Sequence, residues 1–317
     1  MTSKKKINIG IVGAGSISDH HLKVYKSYDF VNLTAIYSRT EIRAKEKSKK
    51  FGIKYYTNSI NKFLKYSNYD GILILVSADQ ISKFVKKILP LGIPIFIEKP
   101  LSLSMKDLKE IQRINKKYKT PNMIGLNRRY YSIVQKSLSL FRKEKILSII
   151  VEGHENFWKI KKLNKENIIK KNWIFANSIH TFDLLLFIAN SSIKKISFIN
   201  KKINNLENNI ISNIEFSNNI VGSYLSFWSS PGQWSIKIFG KNKYIFLSPL
   251  EKGYIIDKKF NKTKIQPIKE DIKFKPGFYL QSKNFIKLIR TKKNSWPDIN
   301  IETISNVYKL INLLKKM

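Results

Sequence analysis

The sequence predicts two successive folds, an α/β domain with a doubly wound parallel sheet and an α+β domain with a mostly antiparallel sheet. Up to about residue 120, short apolar runs alternate with helical patterns, which is typical of a parallel sheet. After Met123, longer alternating runs indicate half-buried antiparallel strands, with helices packed on one face. The 317 residues, 43 % of them hydrophobic, suffice for two cores, which we place at residues 1–122 and 123–317.

The elements of the first domain follow from apolar periodicity. Ile7, Ile9 and Ile11 alternate as in a strand, and the continuous apolar run at 69–76 is expected for a strand buried on both faces. Ser104 is placed to cap a helix that continues to about Lys116. The other predicted elements are strands at 31–38, 52–56 and 93–97 and helices at 41–50, 59–66 and 81–89.

The second domain is predicted as a sheet with one strongly apolar helix at 179–189. The dipeptide Asn218-Asn219 separates two alternating runs and predicts a hairpin turn. A final helix is expected at about 301–314, and it could pack on either domain. The predicted strands cover 147–152, 193–199, 210–216, 220–227, 234–240 and 244–247.

The turn after the first strand carries the most informative motif. Gly13 and Gly15 permit a tight turn and let backbone N–H groups approach a pyrophosphate, and the helix that begins at Ser16 and Ile17 directs its positive end at the ligand. Ser18 replaces the third glycine of the usual G-x-G-x-x-G pattern. The motif predicts a Rossmann dinucleotide site, although a glycine pair after a strand is also typical of an ordinary turn.

The end of the second predicted strand indicates which dinucleotide would bind. Ser38 and Arg39 occupy the tip, and no carboxylate follows until Glu41. A planar guanidinium suits the additional 2′-phosphate of NADP, whereas an acidic residue would accept hydrogen bonds from the ribose of NAD. We therefore predict NADP as the cofactor, with NAD as the alternative. The competing interpretation is that Arg39 is a solvated loop residue that contacts no cofactor.

Charge and composition exclude several classes of protein. The net charge of +37 comes mainly from lysines spread along the chain, so we expect small anionic ligands rather than nucleic acid. The sequence contains no run of about 18 apolar residues, so we expect no membrane span. The chain has no cysteine, its N-terminus lacks a signal-peptide core, and its histidines and carboxylates lack metal-ligand spacing. We expect a cytoplasmic protein without a metal site.

Five elements together resemble the Gfo/Idh/MocA oxidoreductase family in their order and spacing. They are the Gly13/Gly15 turn, the Ser38-Arg39 tip, Glu98-Lys99-Pro100, the segment 125–130 and the segment 180–183. The resemblance spans most of the chain and implies a nicotinamide cofactor. It also implies oxidation or reduction of a sugar, an inositol or a sugar nucleotide at a carbinol carbon.

The resemblance implies roles for individual residues. Lys99 would remove or relay the hydroxyl proton, because burial and nearby cations lower a lysine pKa. Glu98 would orient Lys99 or contact the nicotinamide ribose. His180 would hold the reacting hydroxyl or share the proton with Lys99. Asp183 lies on the same helix face, and we expect it in the substrate site, where it would hold the histidine ring or the local backbone. The peptide bond before Pro100 tends to be cis in the family.

Two arginines follow the predicted hinge, and one of them is expected to form a structural ion pair between the domains. The other would reach a substrate phosphate or carboxylate. Nothing in the sequence distinguishes Arg128 from Arg129, and we name Arg128 as the candidate for the substrate contact. The open face of the second sheet predicts an interface in a homodimer or homotetramer.

One position departs from the family pattern. Many members carry an aspartate one turn before the histidine, where this chain has Ala176, followed by Asn177. Either Asn177 substitutes as a neutral hydrogen-bonding group in the substrate site, or the substrate is held differently. Two alternatives therefore stay open: a cofactor-binding sensor without catalysis, and a reductase of the same fold that acts on a substrate other than a sugar.

Overall fold

The computed structural model describes residues 6–203 and 208–315. Residues 1–5, on which the expectation about a signal peptide bears, lie outside the described residues. The chain forms two compact units. The first unit comprises Met1–Asn127 and Lys273–Ile304, and the second comprises Arg128–Ile272 and Ser305–Met317.

The first unit contains a six-stranded sheet in the order β3-β2-β1-β4-β5-β6, and every pair of neighbours is parallel. This order confirms the predicted Rossmann fold. The order reverses between β1 and β4, and ligands of such sheets bind at the carboxyl ends of the strands at this point. The strands are β1 Ile7–Val12, β2 Val31–Tyr37, β3 Tyr55–Thr57, β4 Gly71–Ile74, β5 Ile95–Ile97 and β6 Asn122–Ile124.

Helices connect the strands of the first unit. As predicted, Ser104 caps α5, because its Oγ accepts a hydrogen bond from the main-chain N–H of Asp107 at 3.1 Å. The helices are α1 Ser16–Tyr25, α2 Glu41–Phe51, α3 Ile60–Tyr66, α4 Ala78–Ile88 and α5 Met105–Tyr118, to which the later segment adds α11 Phe278–Thr291.

The second unit contains an eight-stranded sheet in the order β14-β13-β12-β11-β7-β10-β9-β8. Only β7 and β10 run parallel, and the other pairs are antiparallel. The predicted mostly antiparallel sheet is confirmed. The strands are β7 Ile146–Glu152, β8 Ile193–Lys202, β9 Asn208–Phe216, β10 Val221–Phe227, β11 Ser235–Gly240, β12 Lys243–Leu247, β13 Gly253–Asp257 and β14 Lys262–Ile265.

One face of this sheet carries α9, which packs on β7 and β10. Alternate side chains such as Ile149, Val151 and Tyr224 are buried beneath it, whereas Ile211 and Val221 on the opposite face remain exposed. The terminal helix α12 packs against α9 and thus belongs to the second unit. The helices are α6 Ser132–Ser139, α7 Phe157–Lys161, α8 Asn167–Lys171, α9 Ile179–Ala189, α10 Lys269–Lys273 and α12 Ser305–Leu314.

The division into units differs from the predicted boundary after residue 122. Strand β6 pairs with β5, and its Ile124 N–H donates to the Ile299 carbonyl at 2.8 Å, which ties both segments to the first unit. Helix α11 packs on α1, and its side chain of Ile289 lies so close to Gly71 that a Cβ there would meet it at 2.6 Å. Residues 123–127 and 273–304 therefore complete the first core. Among the described residues, no helix is long and apolar enough to cross a membrane.

Candidate functional site

The glycine turn lies where the first sheet reverses its strand order. Gly13 has φ +119°, and its N–H donates to the Tyr37 carbonyl of β2 at 2.8 Å. A Cβ on Gly13 would lie 2.5 Å from the Leu75 carbonyl oxygen, whereas a Cβ on Gly15 would meet nothing within 4 Å. Gly13 thus closes the turn, and Gly15 leaves open space in front of α1, which begins at Ser16.

Ser18 occupies the position of the missing third glycine. Its side chain is fully buried, and its Oγ donates to the Gly15 carbonyl at 2.6 Å. A small hydroxyl therefore fits the close packing of helix and strand that glycine serves elsewhere.

A cavity of about 150 Å³ adjoins this turn. The predicted residues Gly13, Gly15, Ser38 and Arg39 line it together. Arg43, in the first turn of α2, also lines the cavity. We did not predict this residue. The other lining residues are Ala14, Tyr37, Thr40, Leu75, Val76, Ser77, Gln80 and Phe84.

The charge around this cavity is not purely positive, because Asp79 lies between two of its lining residues, Ser77 and Gln80, in the sequence. Burial raises the pKa of Asp79, but hydrogen bonds from Gln80 and Ser77 and the charge of Arg39 hold that pKa below its ordinary value. Arg39 therefore has an ionised carboxylate nearby, and the exposed Arg43 adds a second cation. The balance favours an anionic group at the tip of β2.

Glu98 directly follows β5, so its carboxylate lies at the carboxyl edge of the first sheet. The side chain is buried, with Oε1 at 2.9 Å from His21 Nε2, while the main-chain N–H of Lys99 donates to Oε2 at 3.1 Å. Burial raises the pKa of Glu98, but these hydrogen bonds and the charge of Lys99 outweigh it, so the pKa lies below its usual value. Lys99 is half-buried, and its bond to Pro100 is cis.

His21 is another residue of this site that the sequence analysis did not single out. Its ring is buried between Phe96 and Phe278, with centroid distances of 5.0 and 4.5 Å. The hydrogen bond between His21 and Glu98 connects positions 77 residues apart, so no local sequence motif predicts it. His21 fixes the orientation of the carboxylate that precedes Lys99.

In the second unit, the two arginines have different partners. Arg129 grips Asp183 in a bidentate pair, with Nε at 3.0 and 2.8 Å from the two oxygens and Nη2 at 2.6 Å from Oδ1. Asp183 is fully buried. Burial raises the pKa of Asp183, and the guanidinium of Arg129 offsets part of that effect. Both members of this ion pair belong to the same unit.

Arg128 instead contacts His180, which α9 presents fully buried. Arg128 Nη1 lies 2.8 Å from His180 Nε2. The structure thus brings together Arg128 and His180 and pairs Asp183 with Arg129, which distinguishes the two arginines that the sequence left equivalent.

Asn177 lies beside a buried carboxylate that we did not predict. Its amide nitrogen lies 3.2 and 3.3 Å from the oxygens of Glu155, which also accept hydrogen bonds from Ser178 Oγ at 2.7 Å and Trp173 Nε1 at 2.8 Å. Glu155 lies three residues after the end of β7. Ala176, which directly precedes Asn177 in the sequence, is also buried. The segment that precedes α9 therefore does have a carboxylate beside it, but this carboxylate is Glu155 from the loop after β7 and not a residue at position 176. The described ranges 6–203 and 208–315 contain no group of three His, Cys, Asp or Glu residues that could hold a metal ion.

A family model and several known proteins match parts of this chain. The Gfo/Idh/MocA model, described as an oxidoreductase family with an NAD-binding Rossmann fold, matches residues 7–126. A myo-inositol 2-dehydrogenase from Thermotoga maritima is 29 % identical over 124 residues, which are 39 % of this chain and 37 % of that protein. The match thus spans little more than a third of the relative.

Solved structures match over nearly the whole chain. A dehydrogenase from Chromobacterium violaceum has a TM-score of 0.86 at 15 % sequence identity. The match covers 98 % of this chain and 95 % of that dehydrogenase. A UDP-N-acetylglucosamine 3-dehydrogenase from Acidithiobacillus ferrooxidans has a TM-score of 0.80 at 14 % identity, with coverage of 98 % and 97 %. These likenesses establish the shared fold. Residues 7–126 therefore form the NAD-binding Rossmann fold of the Gfo/Idh/MocA oxidoreductase family.

Proposed function

We propose that the protein is a nicotinamide-dependent dehydrogenase that transfers hydride to or from a carbinol or keto carbon of a sugar, an inositol or a sugar nucleotide. The carrying observation is the turn between β1 and α1. Gly15 faces open space at the point where the sheet reverses, and the arginine-lined cavity adjoins it. The relatives support the substrate class, since one is an inositol dehydrogenase and another acts on a UDP-sugar.

The residues at this turn fit a dinucleotide. The open space at Gly15 and the main-chain N–H groups of Ser16 and Ile17 would receive the pyrophosphate. Ser38 and Arg39 would hold the adenosine ribose or its 2′-phosphate. When bound, the nicotinamide accepts or supplies the hydride of the reaction.

The remaining roles belong to side chains of the chain itself. Lys99 receives the hydroxyl proton during oxidation and returns it during reduction, and Glu98, held by His21, orients Lys99. His180 hydrogen-bonds the reacting hydroxyl, and Asn177 contacts a neighbouring hydroxyl of the substrate. Asp183 acts through its ion pair with Arg129, because a fully buried carboxylate in a bidentate pair orients the start of α9 rather than touching substrate.

The two glycines of the turn provide the test of dinucleotide binding. We expect Gly15→Ala to fold normally, with a loss of stability below about 1 kcal/mol, because no atom lies within 4 Å of its new Cβ. The methyl group would occupy the space of the pyrophosphate, so affinity for NADPH should fall by about tenfold or more. Fluorescence titration of NADPH measures this affinity, and thermal unfolding measures the fold.

Gly13→Ala is the matched control at the same turn. The positive φ and the approach to the Leu75 carbonyl should make it cost about 2 kcal/mol or more in unfolding free energy. Gly15→Ala with unchanged NADPH affinity would refute the binding site. Retained binding without turnover on a panel of polyols would instead favour the cofactor-binding sensor, which Ala176 also favours.

Arg39 provides the test of cofactor preference, which we propose is for NADP. We expect Arg39→Met to weaken NADPH binding by about tenfold to a hundredfold, because one charged hydrogen bond to a phosphate is lost. Affinity for NADH should change by less than about threefold. Arg113→Met, on the exposed side of α5, serves as the control. Equal losses for both cofactors would assign Arg39 to a part of the site that does not distinguish them.

A further inference from the structure

The segment that leads into α9 is wound more loosely than an α-helix. Ile174–Ser178 forms a π-helical turn, which we call the π-turn, and α9 continues from it at Ile179 without a break. A π-helix pairs each residue with the one five positions on, and single turns of this kind occur mostly inside α-helices and often at functional sites. Because this geometry is rare, the contacts that stabilise it are informative.

Three side chains in and next to the π-turn donate to the same carboxylate. Trp173 Nε1 lies 2.8 Å from Glu155 Oε2, and Ser178 Oγ lies 2.7 Å from Oε1. The amide nitrogen of Asn177 lies 3.2 and 3.3 Å from the two oxygens. In an α-helix, successive residues are turned by about 100°, so positions 173 and 177 share a face and position 178 is turned well away from it. The wider π-turn brings positions 177 and 178 over position 173 together, so that both reach one carboxylate.

The main chain around Glu155 is fixed to the edge of the second sheet. The Gly153 N–H donates to the Leu225 carbonyl at 2.7 Å, and the Phe157 N–H donates to the Trp228 carbonyl at 2.9 Å. Glu155 lies between these two anchor points, and its side chain is buried. Its carboxylate thus ties the π-turn to the ends of the parallel strands β7 and β10.

The orientation of His180 depends on this turn. His180 is the second residue of α9, is fully buried and follows Ser178 by two positions. Thr181 Oγ1 donates to the Ser178 carbonyl at 2.8 Å, so the start of α9 is bonded to the end of the π-turn. If the turn rewound into a regular α-helix, the side chains after it would rotate by about 100° relative to those before it. The π-turn therefore determines the direction in which α9 presents His180.

We propose that Glu155 is a positioning residue for His180. Its carboxylate stabilises the π-turn and thereby sets the orientation of the imidazole that the proposed function places at the reacting hydroxyl. Trp173, Asn177 and Ser178 all donate, so the position requires a group that only accepts, and a glutamine of the same shape would turn an amide NH2 towards one of the donors. The inference rests on the proposed function for the catalytic role of His180, whereas the placement of its ring does not depend on it.

NMR spectroscopy of the side-chain nitrogens tests the placement without turnover. The chain has five tryptophans and four histidines, and Trp173→Phe and His180→Gln assign the two signals of interest. In Glu155→Gln, we expect the Trp173 indole proton to shift upfield because its charged acceptor is lost, and the His180 ring nitrogens to shift as well. Trp173→Phe removes a donor without changing the charge, and it should also shift the His180 signals. The signals of His20 and His21, which belong to the first unit, should stay in place.

Steady-state kinetics tests whether this placement matters for the reaction. On a polyol that the wild type oxidises, Glu155→Gln should lower kcat by about tenfold to a hundredfold, because a displaced group loses its alignment with the reacting atoms. KM for NADP should stay within about threefold. Adding Ser178→Ala to Glu155→Gln should cause little further loss, because both changes break the same contact. Glu166, an exposed glutamate of the same unit, provides the control, since Glu166→Gln should leave the NMR signals and the kinetic constants unchanged.

His180 signals that stay in place in Glu155→Gln would overturn the proposal. A His180 shift in Glu155→Gln that is absent in Trp173→Phe would report the lost charge alone, and kcat losses that multiply in the double variant would show independent effects, so either result would also overturn it. If Glu155→Gln unfolds, Trp173→Phe and Ser178→Ala each remove one donor and should shift the His180 signals in its place. Shifted His180 signals with unchanged kcat, or in a protein that fails to bind NADPH, would refute the proposed function and leave the placement by Glu155 intact.

Discussion

Replacing Lys99 with methionine should leave NADPH binding within about threefold of the wild type and lower turnover by about 10²- to 10⁴-fold. The reason is that Lys99 follows Glu98 at the end of β5, whereas the proposed pyrophosphate site lies at the separate turn between β1 and α1. Methionine keeps the apolar stem of the half-buried side chain and removes only the ammonium group. Fluorescence titration and steady-state kinetics on the same preparation measure the two quantities.

A lysine elsewhere in the same unit controls for the loss of charge. Lys116, exposed on α5, should tolerate the same change without effect on either measurement. Unchanged turnover in Lys99→Met would refute its role in proton transfer. A parallel collapse of NADPH affinity would assign Lys99 to cofactor binding instead.

Breaking the ion pair between Arg129 and Asp183 should destabilise the protein by about 3–5 kcal/mol. Arg129→Met leaves the carboxylate of Asp183 buried without the bidentate partner that now offsets its burial. The pKa of Asp183 should rise further in the variant, so protonation relieves the cost. The stability deficit should therefore be largest near neutral pH and shrink as the pH falls towards about 4. Urea unfolding at several pH values measures it.

Two comparisons separate the buried charge from side-chain loss. The double variant Arg129→Met/Asp183→Leu removes both charges and should recover much of the stability, because buried pairs can be replaced by apolar residues of similar volume. Breaking the exposed pair of Lys194 and Glu215 through Lys194→Met should have no measurable effect. An Arg129→Met variant as stable as the Lys194→Met variant would contradict the importance of the buried pair.

Continuous apolar runs in the sequence predicted the elements that are buried on all sides. The run at 69–76 proved to contain β4, and the apolar stretch at 179–189 coincides with α9, because both are buried all round. Strands β13 and β14 and helix α11 went unpredicted. The two strands are short, and β14 consists largely of exposed residues, so neither has a clear apolar pattern.

The boundary between the units could not be predicted from local sequence. The decision that residues 273–304 complete the first core rests on contacts such as Ile124 with Ile299, which lie far apart in the chain. No periodicity encodes which of two cores a late helix will join. The sequence accordingly left open which of the two domains the final helix, expected at about 301–314, would join.

The candidate site divides along the same line. Gly13, Gly15 and Arg39 could be singled out because each belongs to a contiguous motif, either the glycine turn or the tip of β2. His21 and Glu155 were not, since each acts through a partner on another element. Both look like ordinary polar residues until folding buries them beside that partner. The distinction between Arg128 and Arg129 likewise required the position of α9.

The discontinuous make-up of the first unit has a consequence for how the polypeptide can be divided. The backbone leaves this unit after Asn127, re-enters at Lys273 and departs again after Ile304. A fragment that stops at 127 would strip away Phe278, Phe285 and Ile289, laying bare the rings of His21 and Phe96 and the hollow at Gly71. The first unit is therefore not a severable module, and it is complete only after residue 304 has been synthesised, later than most of the second unit.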